Sequence, residues 1–387
     1  MGYEFAGFQR RDGRVGIRNY VAVISAMDNM NPISKRIVEG VRGTILISDL
    51  FGRIQAGKNH EIRFRTLVGL GRNPNIGRVL IISLHSETAE ALAESISASG
   101  KEVEYIAFQD KGSTLRCIEE GLRIAAKMVK ECSTEKPDWH PLSELVMGVE
   151  CGGSDFSSGI SGNPAVGNAS DRLLHEGGTV ILSETPEIIG AEHVLAKRSV
   201  NQDVANNIVK CVKEMEARAK TAGFSDIRAS NPAADNVKGG LTTLAEKSLG
   251  AILKAGNAPL QGVLRYGESP PGVPGFYFMD TPAPACESMT ALAAGGAQLI
   301  VFNTGLGNPI ANPVSPTIKL TGNPFTFVKN SDDLDIDVSD IITNGLPIEK
   351  AGERVLGEIL RVANGKMTFS EILGITQSTI SILGPSI

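Results

Sequence analysis

Residues 148–168 read Gly-Val-Glu-Cys-Gly-Gly-Ser-Asp-Phe-Ser-Ser-Gly-Ile-Ser-Gly-Asn-Pro-Ala-Val-Gly-Asn. Within them, Glu150, Cys151, Ser154 and Asp155 gather two carboxylates, a thiol and a hydroxyl around two glycines, directly behind an apolar run of strand length. Carboxylates and thiols at a strand end can move a proton or hold a metal, and glycines let backbone N–H groups turn towards an anion. The competing reading is a glycine-rich turn with an incidental cysteine.

Other expected strand ends carry similar groups. Thr179–Ser183 runs into Glu184-Thr185-Pro186-Glu187, with Glu192 and His193 a turn beyond. Gly275–Met279 runs into Asp280-Thr281-Pro282, with Cys286 and Glu287 entering the next helix, and Gln298–Asn303 runs into Thr304-Gly-Leu-Gly-Asn308. Ligands of open parallel sheets bind outside such carboxyl ends. Plainer roles exist for several of these residues: Glu287 as a helix-start carboxylate, the cysteines as small buried hydrophobes, Glu192 and His193 as an exposed pair. Glu184 needs a partner, and converging carboxylates need a positive charge among them. Arg172, Lys197, Arg198 and Lys247 are available, but a divalent metal would serve better; mixed Glu, Asp, His and Cys donors suit Fe2+, Mn2+ or Zn2+, and Mg2+ less if sulfur takes part. Separately, Arg10, Arg11, Arg14 and Arg18 fall within nine residues interrupted by glycines. They could clamp a carboxylate with paired donors or form a solvated basic edge.

The bulk properties narrow the class. A net charge of −5 and the lack of a basic stripe argue against nucleic acid as a partner. Five cysteines without a C-x-x-C pair indicate neither a zinc ribbon nor a redox dithiol. The N-terminus lacks a signal peptide's basic and apolar regions, and no apolar run reaches membrane-spanning length. A cytoplasmic protein with reduced thiols is expected, with no membrane partner.

At 387 residues, two α/β domains are expected. Strand-like Tyr20–Ser25, Thr44–Ser48, Val79–Leu84 and Glu102–Ala107 alternate with helix-like Ile33–Val41, Glu61–Gly71, Ala89–Ser99 and Leu115–Glu131. Such alternation predicts mostly parallel sheets flanked by helices. The expected division is an N-terminal domain over 1–132, a linker over 133–142 with two prolines, and a C-terminal domain over 143–387 holding the site. In the latter, the expected elements are the strands named above with Leu145–Val149 and Gly262–Arg265, and helices near 163–176, 187–196 and 204–222. An acidic, loop-like stretch past Asn330 leads into closing helices.

Taken in order, several segments resemble the altronate and galactarate dehydratase family from Gly7 to about Asp337. They are Arg11-Asp-Gly-Arg-Val-Gly-Ile-Arg-Asn19, Asn73-Pro-Asn75, Glu150-Cys-Gly-Gly-Ser-Asp155 with Asn163-Pro164, Leu182-Ser-Glu-Thr-Pro-Glu187 through Gly190-Ala-Glu-His193, Gly240-Leu-Thr-Thr-Leu-Ala-Glu-Lys-Ser-Leu-Gly250, and Met279-Asp-Thr-Pro282 with Glu287-Ser288. Two departures stand out. Sugar-acid members carry a small extra domain before the arginine-glycine segment, and two early loops with cysteines; here those loops read Phe51-Gly-Arg-Ile-Gln55 and Ile82-Ser-Leu-His-Ser-Glu87. His85 could replace a ligand. Together with Phe64-Arg-Thr-Leu-Val-Gly69, the departures resemble the family's two-subunit, sulfo-lyase branch, which implies a separate small subunit.

The resemblance implies a lyase: β-elimination from a small anionic 2-hydroxy acid to a 2-keto acid, by loss of hydroxide or sulfite from C3. A dianionic enediolate would need strong electrostatic stabilisation, for which a divalent metal, Fe2+ first and Mn2+ or Mg2+ as alternatives, is the expected cofactor. On this reading Glu150, Asp155, Glu184 and His193 take proton transfer or metal binding, without a division between the two. Cys151 is a ligand or a packed wall residue, and Glu187, Asp280 and Glu287 are further ligand candidates. Arg14 and Arg18 hold the substrate's anionic end, with Ser154, Asn163 and Thr185 beside it. An oligomer is expected. A non-catalytic scaffold subunit is the alternative of another class.

Overall fold

The computed structural model describes residues 2–52 and 55–383; Met1, the centre of the Phe51–Gln55 loop and residues 384–387 of the expected C-terminal domain lie outside the described residues. Strand β1 (Glu4–Gln9) pairs antiparallel with the short β2 (Val15–Gly16). Strands β3 (Tyr20–Ser25), β4 (Thr44–Ile47), β5 (Ile76–Ser83) and β6 (Glu102–Ala107) then build a four-stranded, all-parallel sheet in the order β4-β3-β5-β6. β3 is buried over almost its whole length, as a continuous aliphatic run in a helix-covered parallel sheet must be. The segment expected as a linker is not merely connecting chain. Within it β7 (Asp138–Pro141) returns to pair antiparallel with β1, so the N-terminus bridges the two halves.

The second sheet has seven parallel strands: β8 (Val146–Cys151), β9 (Thr179–Leu182), β10 (Leu260–Leu264), β11 (Gly275–Met279), β12 (Leu299–Asn303), β13 (Thr317–Thr321) and β14 (Ile336–Asp337). Their order is β10-β11-β9-β8-β12-β13-β14. The chain proceeds from β8 through β9 to one edge, then crosses to β12 on the far side of β8. The switch point of the sheet is therefore between β8 and β12, where a crevice at the carboxyl ends is expected. The α/β class with helix-flanked parallel sheets holds. β13 and β14 are additions, the former hidden because Lys319 interrupts its apolar pattern. The helix expected over 187–196 is only Glu192–Lys197, after a single tight turn at Thr185–Glu187.

The halves share a core. The helix Gly57–Arg72 packs Leu67 and Leu70 into one apolar cluster with Met279, Met289, Leu292 and Phe302. Gly69 permits this approach: a Cβ there would fall 2.4 Å from the Ala294 carbonyl oxygen of the helix Ala285–Ala294.

The arginine segment belongs to this framework. Arg18 is buried, pairs through Nε with Glu371 Oε1 at 2.8 Å, and donates to the carbonyls of Ile17, Val362 and Lys366. Arg10 donates to the Pro74 and Arg18 carbonyls and to Asn19. Arg18 is thus tied to the C-terminal helices rather than open to a substrate, which corrects its expected role. Removing one partner of a buried pair costs about 3–5 kcal/mol, so Arg18→Ala should lower the denaturation midpoint accordingly while the folded fraction keeps its kcat/KM. Although burial opposes it, the Arg18 partnership holds the Glu371 carboxyl below its usual range. Its stabilisation is therefore present above the ordinary glutamate pKa and is lost as pH falls through the depressed one. The stability gap between wild type and Arg18→Ala should close on acidification, as denaturant titrations at stepped pH will measure.

Candidate active site

Four side chains meet between the ends of β8 and β9. Lys254, from the helical turn Ile252–Ala255, places Nζ 2.6 Å from Cys151 Sγ and 3.4 Å from Glu184 Oε2. The Cys151 backbone N–H donates to the same Oε2 at 3.2 Å. Glu150 accepts at Oε2 from the hydroxyls of Ser183 (2.7 Å) and Ser288 (2.8 Å), while its Oε1 is buried without a hydrogen-bond partner. Lys254 and Glu150 are 0% exposed, Glu184 1% and Cys151 3%.

Charge in so dry a place must be compensated. Burial lifts the Glu150 carboxyl well above its usual range, and neighbouring Glu184 adds to this. Burial also raises Glu184, against the pull of Lys254. The Cys151 thiol is pushed up by burial and then by Glu184. For Lys254 burial works against the charge, but Cys151, Glu184 and Glu150 outweigh it and raise its pKa. The consistent assignment is an ammonium on Lys254, a carboxylate on Glu184, which has the ammonium and an N–H, and protons retained on Glu150 and Cys151.

Glu184 has φ 72°, the one positive φ at a non-glycine position among the described residues. Left-handed backbone of this kind costs roughly 1–3 kcal/mol and persists where the surroundings over-determine it. Here the Glu184 N–H donates to Thr281 Oγ1 at 2.8 Å, and its carboxylate is held by Lys254 and Cys151. The bend directs Thr185 Oγ1 onto Asp280 Oδ1 at 2.6 Å, joining the ends of β9 and β11.

Asp280 lines a cleft of about 500 Å3 between the halves, with Lys58, Arg65, Lys210, Arg218 and Arg265. Glu61 and Glu214 are its other carboxylates, so cations outnumber anions five to three. Arg218 Nη2 lies 3.4 Å from Asp280 Oδ2. Burial and then the like charge of Arg265 pull the Arg65 pKa down, and cations crowded in this way favour an anionic guest.

The remaining expected site residues are dispersed. Asp155 accepts at Oδ1 from Ser157 and Ser158 and at Oδ2 from Asn323, so it ties its own loop to the start of a later helix, at the wall of the second recess. Asn163 links Gly250 to Asn303. Ser154 and Asn163 line a second recess of about 450 Å3 with Phe156 and Lys247. Glu187 is ion-paired with Lys247 at 2.9 Å. His193 is exposed on the short helix Glu192–Lys197, and Glu287 sits in the first turn of Ala285–Ala294. Arg14 bonds to Asp12 at 2.6 Å and to the Arg72 carbonyl, on a separate groove that also touches Arg65. His85, at the end of β5, hydrogen-bonds Gln109.

Cys151, Glu187, Asp280 and Glu287 therefore do not form a metal cage. Among the described residues no three His, Cys, Asp or Glu side chains group to hold an ion, and Lys254, Lys247 and Arg218 already supply cations to the first three. The positive charge that the carboxylates required is a lysine, four residues past the Gly240–Gly250 segment. Its signal was a lone lysine in apolar Ala251-Ile-Leu-Lys-Ala255. The cleft cations on the helices Gly57–Arg72 and Gln202–Thr221 carried no such mark.

Comparison with known proteins agrees with this architecture. The family model for the second domain of D-galactarate dehydratase/altronate hydrolase matches residues 7–133, and that for the C-terminal part of D-galactarate/altronate dehydratase matches 142–386. The chain is 37% identical over 374 residues to the (2R)-sulfolactate sulfo-lyase subunit beta of Chromohalobacter salexigens, covering 96% of each. It is 30% identical to the altronate dehydratase of Bacillus subtilis and 32% identical to that of Escherichia coli, covering 95% and 94% of this chain but 75% and 74% of those proteins. The chain belongs to the galactarate/altronate dehydratase family and is a lyase.

Replacing Lys254 by methionine strands the Glu184 charge, at about 3–5 kcal/mol. Glu184→Gln in the same chain should restore most of that loss, a coupling that a double-mutant cycle reads directly. In Lys254→Met the Glu184 pKa rises further above its unfolded value, so stability should fall as pH rises from the ordinary glutamate range to neutrality. Denaturant midpoints at acid and neutral pH give the sign.

Proposed function

We propose that this chain is the large subunit of a lyase that eliminates a group from C3 of a short 2-hydroxy acid bearing anions at both ends, sulfolactate being the best fit. The observation that carries this is the cationic cleft at the carboxyl ends of β10 and β11, of a size suited to a small ligand. The end-to-end similarity to a sulfo-lyase subunit supports the same choice. In this reading Arg65, Arg265 and Lys210 hold the carboxylate and sulfonate. Asp280, held in place by Thr185, removes the C2 proton; sulfite leaves from C3 with the C–S electron pair, and the enol becomes a 2-keto acid. Sulfite departs without an acid, so cations matter more here than a proton donor. The buried Glu184–Lys254 pair keeps Thr185 and Asp280 in register and does not touch substrate.

Loss of hydroxide from a sugar acid is the alternative within the family, and its members named for altronate and galactarate support it. A small partner subunit belongs to the proposal, since the sulfo-lyase relative is itself named a subunit, as does an oligomer. No helix among the described residues is long and apolar enough to cross a membrane, and all five cysteines are free thiols.

The test is 2-keto acid formation from sulfolactate, altronate and galactarate, with sulfite assayed in parallel, by the chain with and without the small subunit of its own source. Sulfolactate turnover with equimolar sulfite, gained on adding the subunit, is expected; turnover of the sugar acids alone moves the protein to the hydro-lyase branch. Asp280→Asn, which keeps the Thr185 contact, should lower kcat by at least about 10²-fold. Arg65→Met should lower kcat/KM by roughly 10- to 100-fold, the equivalent of a charge-assisted hydrogen bond. Wild-type rates in folded Asp280→Asn would remove that residue from the chemistry.

A further inference from the structure

One buried group on the wall of the cleft has no part in the chemistry described so far. The helix Gln202–Thr221 presents Asn207, Lys210, Cys211, Glu214 and Arg218 to the cleft, at helical spacing along one face. Cys211 is the buried one, 5% exposed, and it lies against Thr185 and Asp280 at the ends of β9 and β11.

Proton counting fixes the direction of its hydrogen bond. Thr185 Oγ1 is 2.6 Å from Asp280 Oδ1 and 3.5 Å from Cys211 Sγ. A hydroxyl has one proton, and a carboxylate only accepts. The Thr185 proton therefore goes to Asp280, and the sulfur contact is made by the S–H. Asp280, the other group that the sulfur faces, likewise accepts only. Burial and then the Asp280 charge push the thiol pKa up, so the proton stays on sulfur near neutrality. We propose that Cys211 is a positioning residue for the base: its thiol donates into the Thr185–Asp280 pair, keeps the Thr185 proton on Asp280 Oδ1, and leaves Oδ2 to take the C2 proton. The proposal rests on the reading of Asp280 as that base.

The Thr185 main chain is already fixed, its N–H donating to the Thr281 carbonyl at 3.0 Å. Rotation of the hydroxyl is the freedom that remains, and the thiol restricts it. A thiol is a weak donor, so it orients Thr185 without drawing much basicity from the carboxylate. Arg218 stands 3.4 Å from Oδ2, long for a hydrogen bond. The other charges on the cleft wall are Lys210 and Glu214 on the same helix, Lys58, Glu61 and Arg65 on Gly57–Arg72, and Arg265 after β10. Replacing Cys211 alters none of these, so a shift in the titration of Asp280 reports the thiol.

The full chain, with the small subunit of its own source, is assayed across pH as wild type, Cys211→Ala and Cys211→Ser. The substrate is whichever of sulfolactate, altronate and galactarate it turns over. A hydrogen bond to the charged form of a group favours that form, so Cys211→Ala should move the acid limb of kcat/KM to higher pH. On that limb its kcat/KM should be roughly 2- to 10-fold below wild type, the range of one hydrogen bond. Cys211→Ser keeps a donor and should hold the limb at or below its wild-type position. A limb unmoved in Cys211→Ala, or moved alike in both variants as lost packing would do, overturns the proposal. Infrared difference spectra of wild type minus Cys211→Ser give a readout that needs no turnover. The S–H stretch should lie at the lowered frequency of a bonded donor; a free-thiol frequency overturns the proposal. Asp280→Asn separates the two readings. If it is inactive while Cys211→Ala keeps the wild-type profile, the positioning role alone falls; if folded Asp280→Asn is fully active, the base falls and the role of Cys211 with it.

Discussion

One ammonium group holds the centre of this molecule together. Lys254 Nζ lies against Cys151 and Glu184 in a space closed to water, and without it the ends of β8 and β9 could not carry the carboxylates they do. A lone carboxylate buried in protein is so unfavourable that it takes up a proton or rearranges its surroundings. With the lysine in place, Glu184 stays charged and holds a backbone bend that its side chain type ordinarily avoids. That bend sets Thr185 against Asp280 and so transmits the buried ion pair to the wall of the open cleft.

The site has two layers with different physics. The inner one is dry and uncharged overall, and acts through rigidity. Hydroxyls of Ser183, Ser288 and Thr281 form a connected set that satisfies Glu150 Oε2 and the Glu184 backbone N–H and leaves Glu150 Oε1 as the one buried carboxyl oxygen of the pair without a partner. The outer layer is wet and carries excess positive charge from helices of both halves. A protein with a net charge of −5 offers an anion no general attraction, so this local concentration of arginine and lysine is what can select one.

The sequence showed the scaffold well and the site unevenly. Runs such as Tyr20–Ser25, Glu102–Ala107 and Gly275–Met279 match their strands residue for residue, because apolar β-branched runs between helices have few other ways to be buried. β7 and β13 escaped because their residues, Trp139-His140 and Lys319, are polar or isolated in pattern. Strand-end reasoning brought Glu150, Cys151 and Glu184 together correctly, since position on a parallel sheet fixes which ends meet. It could not see Lys254, about a hundred residues away, nor that Arg18 would be taken up by Glu371. Asp155 looked reactive in one dimension, and its carboxylate is engaged by Ser157, Ser158 and the distant Asn323. Long-range partners decide whether a charged residue is a tool or a tie, and spacing along the chain does not encode them.

The inner layer holds its shape through one protonation pattern, with Glu184 ionised beside Lys254 and Glu150 neutral behind it. Difference infrared spectroscopy on chain labelled with 13C at the glutamate carboxyl groups, wild type against Glu150→Gln at neutral pH, reads that pattern directly. A neutral Glu150 gives a protonated-carboxyl C=O band present in the wild type and missing from the variant. Loss of a carboxylate band instead would mean that Glu150 is ionised, and that a second buried positive charge, not Lys254 alone, holds the centre together.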